Sequence, residues 1–134
     1  MFKSKGSRAF ALGAVGVTVV AATAGVAVAV ADNVKAPYAQ AGATVEGNGT
    51  VRLAKGVDEV RRLGTGDYCV TFSDSEFNPS KVLPSVTSLN RGKIVAYSWG
   101  SAGTACDMTK RQARVWTTDA NGNVADAWFS IVIN

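Results

Sequence analysis

Six acidic side chains are the groups in this sequence best suited to catalysis: Asp58, Glu59, Asp67, Asp74, Glu76 and Asp126. Two carboxyl groups at a fixed separation are sufficient for glycoside hydrolysis. The chain contains no histidine, so Ser-His-Asp and Cys-His catalysis are excluded and the most common general base is missing. Scattered acids are also typical of a soluble β-sheet surface, and a small domain has little room for a deep cleft. We therefore predict that the protein is not an enzyme, with a weak glycosidase that uses a carboxylate pair as the alternative.

One segment has oxygen-bearing side chains at alternate positions, as at the start of a calcium-binding EF-hand loop: Asp119, Asn121 and Asn123. The match ends there, because position six is Val124 where the loop needs glycine and position twelve is Ser130 where it needs glutamate. We interpret the segment as a turn. Two cysteines without histidine do not complete a zinc site, so the sequence predicts no metal and no cofactor.

Two cysteines, Cys69 and Cys106, are the candidates for a disulfide bond. An even number of cysteines in an exported chain favours pairing. The sequence does not give the distance between their Cα atoms, so two unpaired thiols are the alternative.

Aromatic residues towards the carboxyl end provide the candidate binding surface: Tyr97, Trp99, Trp116 and Trp128, together with Arg114. Exposed rings on a β-sheet can stack against sugar faces or anchor a protein partner. Arg114 and Trp116 are two positions apart and so share one face of a strand, and the charge of Arg114 indicates that this face is in water. Trp128 shares that face only if the intervening turn contains a one-residue bulge, since a two-residue turn puts the rings on opposite faces. Packing of these rings in the core is the alternative.

The sequence after residue 44 predicts that the elements that position these residues are all β-strands. Apolar residues recur there at every second position, in short runs separated by Gly, Asn, Asp and Ser. We predict three hairpins, which pair residues 57–63 with 67–72, residues 82–90 with 93–99, and residues 112–118 with 126–133. A further strand over residues 45–53 folds around the Asn48-Gly49 turn. About seven strands in this length are typical of a Greek-key-type β-sandwich or a small barrel.

The amino-terminal segment predicts the compartment. Residues 1–8 carry Lys3, Lys5 and Arg8, and residues 9–31 are uncharged and largely apolar. This run ends in a small-x-small sequence that fits a signal-peptidase site, so we predict a secretory signal peptide over residues 1–31. An uncleaved anchor helix is the alternative, since a helix of this length would cross roughly 30 Å of hydrocarbon. Either outcome makes the rest of the chain secreted, or places it on the extracytoplasmic face of the membrane or in the cell wall.

Domain organisation and partners follow from the remainder of the chain. We expect a flexible spacer over residues 32–43 and one all-β domain over residues 44–134. The net charge is +4 at pH 7, and most of it lies in residues 1–8. The nearly neutral remainder excludes nucleic-acid binding, which needs a basic face. Membrane contact is expected only through residues 9–31 if they are not cleaved.

Three functions are compatible with these features. The first is an exported, non-catalytic binding or structural module of the cell envelope, whose partner is a cell-wall polysaccharide or an envelope protein. The second is a secreted inhibitor of a hydrolase, for which residues 100–110 beside Cys106 form the one segment shaped as a rigid exposed loop. The third is the weak glycosidase.

Several motifs resemble a family of small exported proteins that are common in actinobacteria. They are Gly47-Asn48-Gly49-Thr50, Gly56-Val57, Gly64-Thr65-Gly66-Asp67-Tyr68 with Val70 and Phe72, and the tail pattern Val115-x-Thr117-x-Asp119-x-x-Gly122-x-x-x-Asp126-x-x-Phe129-x-x-Val132. The resemblance implies an all-β fold, and it implies no activity because its motifs are turns and strand faces. Family members often have one cysteine shortly after the strand equivalent to residues 68–72 and another at the chain end, whereas Cys69 and Cys106 lie elsewhere.

Overall fold

The computed structural model describes residues 28–78 and 81–134. Within these residues the chain forms nine strands and a short 3-10 helix: β1 (Val28–Ala29), β2 (Ala41–Val45), β3 (Val51–Lys55), β4 (Val57–Gly64), β5 (Asp67–Phe72), β6 (Pro84–Ser88), β7 (Lys93–Trp99), the 3-10 helix (Met108–Lys110), β8 (Gln112–Asp119) and β9 (Phe129–Ile133). The predicted all-β class is confirmed.

The strands form two antiparallel sheets that pack face to face, consistent with a β-sandwich. Sheet A has the strand order β1-β4-β5-β8-β7, and sheet B has the order β3-β2-β9-β6. The chain passes from β3 in sheet B to β4 in sheet A through a bend at Gly56, where φ is +64°. Glycine adopts this left-handed conformation without steric cost. Of the two predicted architectures, the separate sheets support the sandwich rather than the barrel.

The core lies between the sheets and follows the predicted alternation. Tyr68, Val70 and Phe72 of β5 are completely buried. The inward positions of three further strands supply much of the remaining core: Ala113, Val115 and Thr117 of β8, Ala41, Ala43 and Val45 of β2, and Phe129, Ile131 and Ile133 of β9. The residues between them face outward on both sheets. The outward positions that no loop covers are the ones available for binding, whereas Cys69 and Thr71 of β5 are buried.

The first predicted hairpin is confirmed. Strands β4 and β5 are antiparallel neighbours, with Gly64 opposite Asp67. The turn at Asn48-Gly49 also joins paired strands, since Thr44 of β2 lies opposite Leu53 of β3.

The other two predicted hairpins are wrong. The turn that contains Gly92 connects β6 in sheet B to β7 in sheet A, and the Asn121-Gly122 turn lies between β8 in sheet A and β9 in sheet B. Strand β6 pairs with β9, and β7 pairs with β8. A reversal of the chain uses the same turn residues whether the next strand pairs with the previous one or crosses to the opposite sheet. The turn residues therefore predicted the reversals and not the pairings.

The segment before β2 lies along the edge of sheet B. Asn33 donates its backbone N–H to the Ala54 carbonyl at 2.9 Å and accepts the Ala54 N–H on Oδ1 at 2.7 Å. The Lys55 ammonium donates to two carbonyls of the segment at 2.8 and 2.6 Å. The predicted flexible spacer over residues 32–43 is corrected accordingly. Asn33, Ala36 and Ala39 are hydrogen-bonded to the edge strand β3, Gln40 donates its N–H to the Ile133 carbonyl of β9 at 2.7 Å, and residues 41–43 belong to β2. A covered edge strand is protected from pairing with other chains.

The signal peptide or anchor helix is predicted over residues 1–31. Of these, residues 1–27 lie outside the residues that the structure describes. The final residues of the predicted segment include β1, where Val28 is paired with Val60 of β4. No helix in the part of the chain that the structure describes is long and apolar enough to cross a membrane.

Candidate functional site

Two of the five predicted binding residues lie on the core side of sheet A. Tyr97 and Trp99 of β7 pack against the buried cluster. The ring centroid of Trp99 lies 6.1 Å from that of Phe72 and 6.0 Å from that of Phe77. For these two partly buried rings the structure corresponds to the core-packing alternative.

The other three predicted residues lie on the two outer faces of the sandwich. Arg114 and Trp116 alternate with the buried positions of β8 and therefore face outward on sheet A. Trp128 immediately precedes the buried Phe129 and faces outward on sheet B. The two tryptophans are on opposite faces because β8 and β9 belong to different sheets, and not because of the length of the turn between them.

On the outer face of sheet A, Trp116, Arg114 and Asp67 form a triad, which we call the sheet A triad. Arg114 donates from Nε to Asp67 Oδ1 at 2.9 Å and from Nη2 to Oδ2 at 2.6 Å. The hydrogen bonds to Asp67 raise the pKa of Arg114. The Arg114 Cζ atom lies 5.6 Å from the centroid of the Trp116 ring. A two-point ion pair thus fixes the guanidinium in cation–π contact with the indole.

On the outer face of sheet B, Trp128, Arg52 and Glu46 form a second triad, which we call the sheet B triad. Arg52 Nη1 lies 3.0 Å from Glu46 Oε1, and Arg52 Cζ lies 6.0 Å from the centroid of the Trp128 ring. The backbone of Trp128 is fixed by donation to Asn90 Oδ1 at 2.7 Å and by acceptance from the Leu89 N–H at 2.9 Å. The backbone that carries the Trp128 ring is therefore held in place directly before β9.

A row of hydroxyl groups crosses sheet B beside Trp128. The strand register places Thr44 opposite Ser130 and Ser130 opposite Thr87, all at outward positions. Leu53 continues the row on β3. A groove of about 100 Å³ adjoins this row where residues 34–39 pass over the sheet, and its lining is mainly apolar, with Val132 among the lining residues.

The predicted disulfide is confirmed. Cys69 and Cys106 are bonded, with their Cα atoms 5.6 Å apart, which is the usual separation. The carboxylate of Asp107 accepts the N–H groups of Gly103 and Thr109, each at 2.8 Å. Hydrogen bonds from the Thr109 hydroxyl and from these N–H groups lower the pKa of Asp107. Residues 100–110 consequently form a loop that is fixed onto the outer face of sheet A.

The candidate catalytic acids are mostly held in ion pairs. Four of the six pair with arginine: Asp58 with Arg111, Glu59 with Arg61, Asp67 with Arg114, and Asp126 with Arg62. Asp74 accepts the backbone N–H of Glu76 at 2.9 Å. Each of the six except Glu76 therefore has a partner for its own carboxylate, and the pair of Asp58 with Arg111, at 4.0 Å, is the most exposed of the four ion pairs.

The segment that resembles the start of an EF-hand loop is a turn. Asp119 Oδ1 accepts the backbone N–H groups of Asn121 at 2.8 Å and Asn123 at 3.0 Å. These hydrogen bonds lower the pKa of Asp119. Among residues 28–78 and 81–134, no three His, Cys, Asp or Glu side chains are grouped closely enough to hold a metal ion.

Sequence reasoning missed a polar network at one end of the sandwich, centred on Asp126. Its carboxylate accepts the Gly66 N–H on Oδ1 at 2.7 Å and Arg62 Nη2 on Oδ2 at 2.8 Å. The Tyr68 hydroxyl donates to the Gly47 carbonyl at 2.6 Å and lies 3.2 Å from Asp126 Oδ1. Four of these residues belong to the motifs that resemble the exported family: Gly47, Gly66, Tyr68 and Asp126. Those motifs were the feature of the sequence that could have indicated the network. The network ties the β2–β3 turn of sheet B to the β4–β5 turn of sheet A.

The Asp126 network predicts an acid-sensitive contribution to stability. Burial raises the pKa of Asp126, but hydrogen bonds from Arg62 and Gly66 outweigh this effect and the net shift is downward. The ionised carboxylate therefore stabilises the fold above about pH 4, and this contribution is lost as the pH falls through the lowered pKa. We expect Asp126→Asn to reduce the free energy of unfolding by about 1 to 2 kcal/mol at neutral pH, allowing for partial exposure. The difference from wild type should shrink in acid, as measured by urea unfolding over a pH series.

The control for this prediction is Asp58→Asn. The Asp58 side chain is 54% exposed and lies 4.0 Å from Arg111, so its replacement should change the free energy of unfolding by less than about 0.5 kcal/mol. A difference between wild type and Asp126→Asn that stays constant in acid would contradict the proposed linkage.

No protein-family model, curated protein or solved structure matches this chain. The resemblance to small exported actinobacterial proteins therefore stays a prediction from the sequence.

Proposed function

We propose that this chain is an exported, non-catalytic module with a Greek-key-type β-sandwich, which binds a neutral polysaccharide on the outer face of sheet B. The observation that carries the proposal is the exposed ring of Trp128, at 37% of its surface, on the same face as Leu89 at 47% and Leu53 at 43%. Large apolar side chains that are exposed together mark an interaction surface on a small domain. A flat indole suits the apolar face of a sugar ring.

The polar groups around the ring support a carbohydrate over other ligands. The hydroxyl groups of Thr44, Ser130 and Thr87 offer both donors and acceptors along one line. The Glu46–Arg52 ion pair adds a cationic donor and an anionic acceptor beside Trp128 without net charge. Such a surface complements a neutral, hydroxyl-rich polymer better than an anionic one.

The groove beside the hydroxyl row narrows the class of polysaccharide. Its volume of about 100 Å³ is several times the roughly 10 to 15 Å³ that one water molecule needs by the same measure. A small groove with an apolar lining suits a small apolar group such as the methyl of an acetyl group. The surface therefore favours an extended, N-acetylated amino-sugar polymer.

Export is supported by the disulfide bond. Cys69 and Cys106 are paired, and disulfides persist mainly in oxidising compartments outside the cytosol. The predicted leader over residues 1–31 is the sequence feature that points the same way.

Trp128→Ala tests the proposal. Loss of the ring should raise the dissociation constant for glycol chitin, a soluble N-acetylated polymer, at least tenfold, which corresponds to about 1.4 kcal/mol. The thermal midpoint should move by only a few degrees, because the side chain is 37% exposed. Affinity electrophoresis through a gel that contains glycol chitin measures the binding, and circular dichroism measures the midpoint.

Leu83→Ala is the matched control for that experiment. Leu83 is 83% exposed and precedes β6 at the end remote from Trp128, so its loss should leave binding unchanged. Hydroxyethylcellulose, which has no acetyl group, should bind more weakly than glycol chitin. If Trp128→Ala and wild type bind glycol chitin equally, the site on sheet B is ruled out.

A second candidate function, inhibition of a secreted hydrolase, is favoured by the loop over residues 100–110. Residues 101–105 are all exposed, while the disulfide and Asp107 hold the base of the loop. An inhibitor would be recovered in complex with a hydrolase, and Trp128→Ala would not reduce that recovery. Release of reducing sugar from glycol chitin would instead favour the glycosidase hypothesis.

A further inference from the structure

The two outer faces carry triads of the same composition. In each, an arginine guanidinium lies over a tryptophan ring, at 5.6 Å for Trp116 and 6.0 Å for Trp128. In each, the arginine is also paired with a carboxylate, at 2.6 Å in the sheet A triad and 3.0 Å in the sheet B triad. Both triads are therefore neutral, aromatic surfaces with matched donors and acceptors.

We infer that the sheet A triad is a second binding site for the same class of neutral polysaccharide, so that one molecule bridges two polysaccharide strands. This inference rests on the proposed function of the sheet B triad, because it transfers the chemistry of one triad to the other. Bridging would make the protein a cross-linker of a polysaccharide layer and not only a component bound to it.

Trp116 is partly buried, and the part of sheet A beside it, on the β7 side, is open to solvent. Ala96 lies opposite Trp116 on β7 and is exposed, so no large side chain stands between the indole and that edge of the sheet. Ile94, on the same face, is 53% exposed. The loop over residues 100–110 is anchored at Cys69, which lies opposite Arg114 on β5, and Ala96 and Ile94 remain uncovered. An elongated ligand can therefore approach Trp116 from the β7 edge.

The placement of the triads favours two ligand strands over one. Packed sheets lie about 10 Å apart, and the triads are on the outward sides of both. A single extended polymer that contacts one triad runs along that face and would have to bend around the edge of a sheet to reach the other. Occupation of both triads therefore joins separate strands or distant parts of one long strand.

The test uses the full exported protein and soluble glycol chitin, with turbidity and viscosity as readouts of cross-linking. Wild type should raise both turbidity and viscosity. The increase should pass through a maximum and fall at excess protein, because each polysaccharide chain is then covered by protein molecules that are bound through one triad only. Sedimentation velocity without the polymer establishes whether the protein is a monomer. A monomer that cross-links supports two sites on one molecule.

Single variants separate binding from bridging. Trp116→Ala and Trp128→Ala should each bind glycol chitin only through the remaining triad, at least tenfold more weakly than wild type because two-point attachment is lost, and both should lose the rise in turbidity. The double variant should not bind. Trp116→Tyr keeps an aromatic ring and should retain bridging, which controls for a folding defect in Trp116→Ala, and Leu83→Ala should behave as wild type.

Each other outcome overturns the inference in a distinguishable way. Binding by wild type without cross-linking leaves the sheet B site and removes the second one. Cross-linking that persists in Trp116→Ala places the second contact elsewhere. A dimer in the absence of polymer that Trp116→Ala dissociates would make this face an interface between two copies of the chain. Absence of any binding by wild type removes the proposed function together with the inference.

Discussion

Replacing Cys69 and Cys106 together by alanine is expected to lower the free energy of unfolding by about 3 to 4 kcal/mol. The bond closes a loop between residues separated by 37 positions, and the loss of loop-closure entropy in the unfolded chain accounts for an effect of about that size. For a domain of this length the thermal midpoint should fall by about 15 °C or more. Thermal unfolding followed by circular dichroism measures the change.

The disulfide is expected to matter because it joins the outer face of sheet A to a loop with little apolar packing of its own. Both cysteines are fully buried, whereas residues 101–105 are exposed. Without the bond, the loop would depend on contacts such as those of Asp107 and on the hydrogen bond that Arg61 donates to the Ala105 carbonyl. Local opening of residues 100–110 is therefore the expected first consequence.

Reduction of wild type provides the matched control. A thiol reductant should lower the midpoint of wild type towards that of the alanine double variant and should leave the double variant unchanged. Met108→Ala, at a side chain 39% exposed in the same loop, should have little effect. A midpoint for the double variant within a few degrees of wild type would show that the native contacts alone hold the loop.

The strands could be predicted because alternation reports directly on burial. Tyr68, Val70 and Phe72 alternate with polar or small neighbours, and the structure buries all three. The hairpin of β4 and β5 was also accessible, since a short Gly-containing turn between two alternating runs leaves few other arrangements. These are local properties, and a single sequence contains them in full.

The pairing of the remaining strands could not be predicted, because it depends on contacts between distant segments. Strand β9 pairs with β2, so that Phe129 lies opposite Val45, although a turn connects it to β8. The choice is decided by the fit of the inward side chains between the sheets. The turn at Asn121-Gly122 is the same in either arrangement and carries no information about it.

The two triads were likewise predictable only in part, because some of their residues are neighbours in sequence and others meet only through strand pairing. Arg114 and Trp116 are two residues apart, and alternation alone assigns them to one wet face. Their carboxylate partner, Asp67, comes from the pairing of β5 with β8, which no local pattern specifies. In the sheet B triad, Glu46 and Arg52 flank the Asn48-Gly49 turn and are close in sequence. The contact of Arg52 with Trp128 depends on sheet order, since the two residues are far apart in the sequence. A pattern confined to neighbouring residues could identify Trp128 as a candidate but not its surroundings.

Gly66→Ala is expected to destabilise the protein by about 3 kcal/mol or more. Gly66 has φ +63°, and a side chain there costs about 1 to 2 kcal/mol. An added Cβ would also overlap the Thr117 carbonyl oxygen and lie 3.1 Å from the backbone N and O of Ala125. Forced rearrangement of a packed backbone costs about 1 to 3 kcal/mol more. Urea unfolding at neutral pH measures the loss.

The expected effect is large because Gly66 lies close enough to Thr117 and Asp126 to form a hydrogen bond with each. The Gly66 carbonyl accepts the Thr117 N–H at 2.9 Å, and its N–H donates to Asp126 at 2.7 Å, so displacement would break both hydrogen bonds. Gly64→Ala, in the same turn, is the matched control because its added Cβ would meet nothing within 4 Å. It should change the free energy of unfolding by less than about 1 kcal/mol, in either direction. Equal stabilities for the two variants would mean that the close approach of the β4–β5 turn to Thr117 and Ala125 does not stabilise the fold.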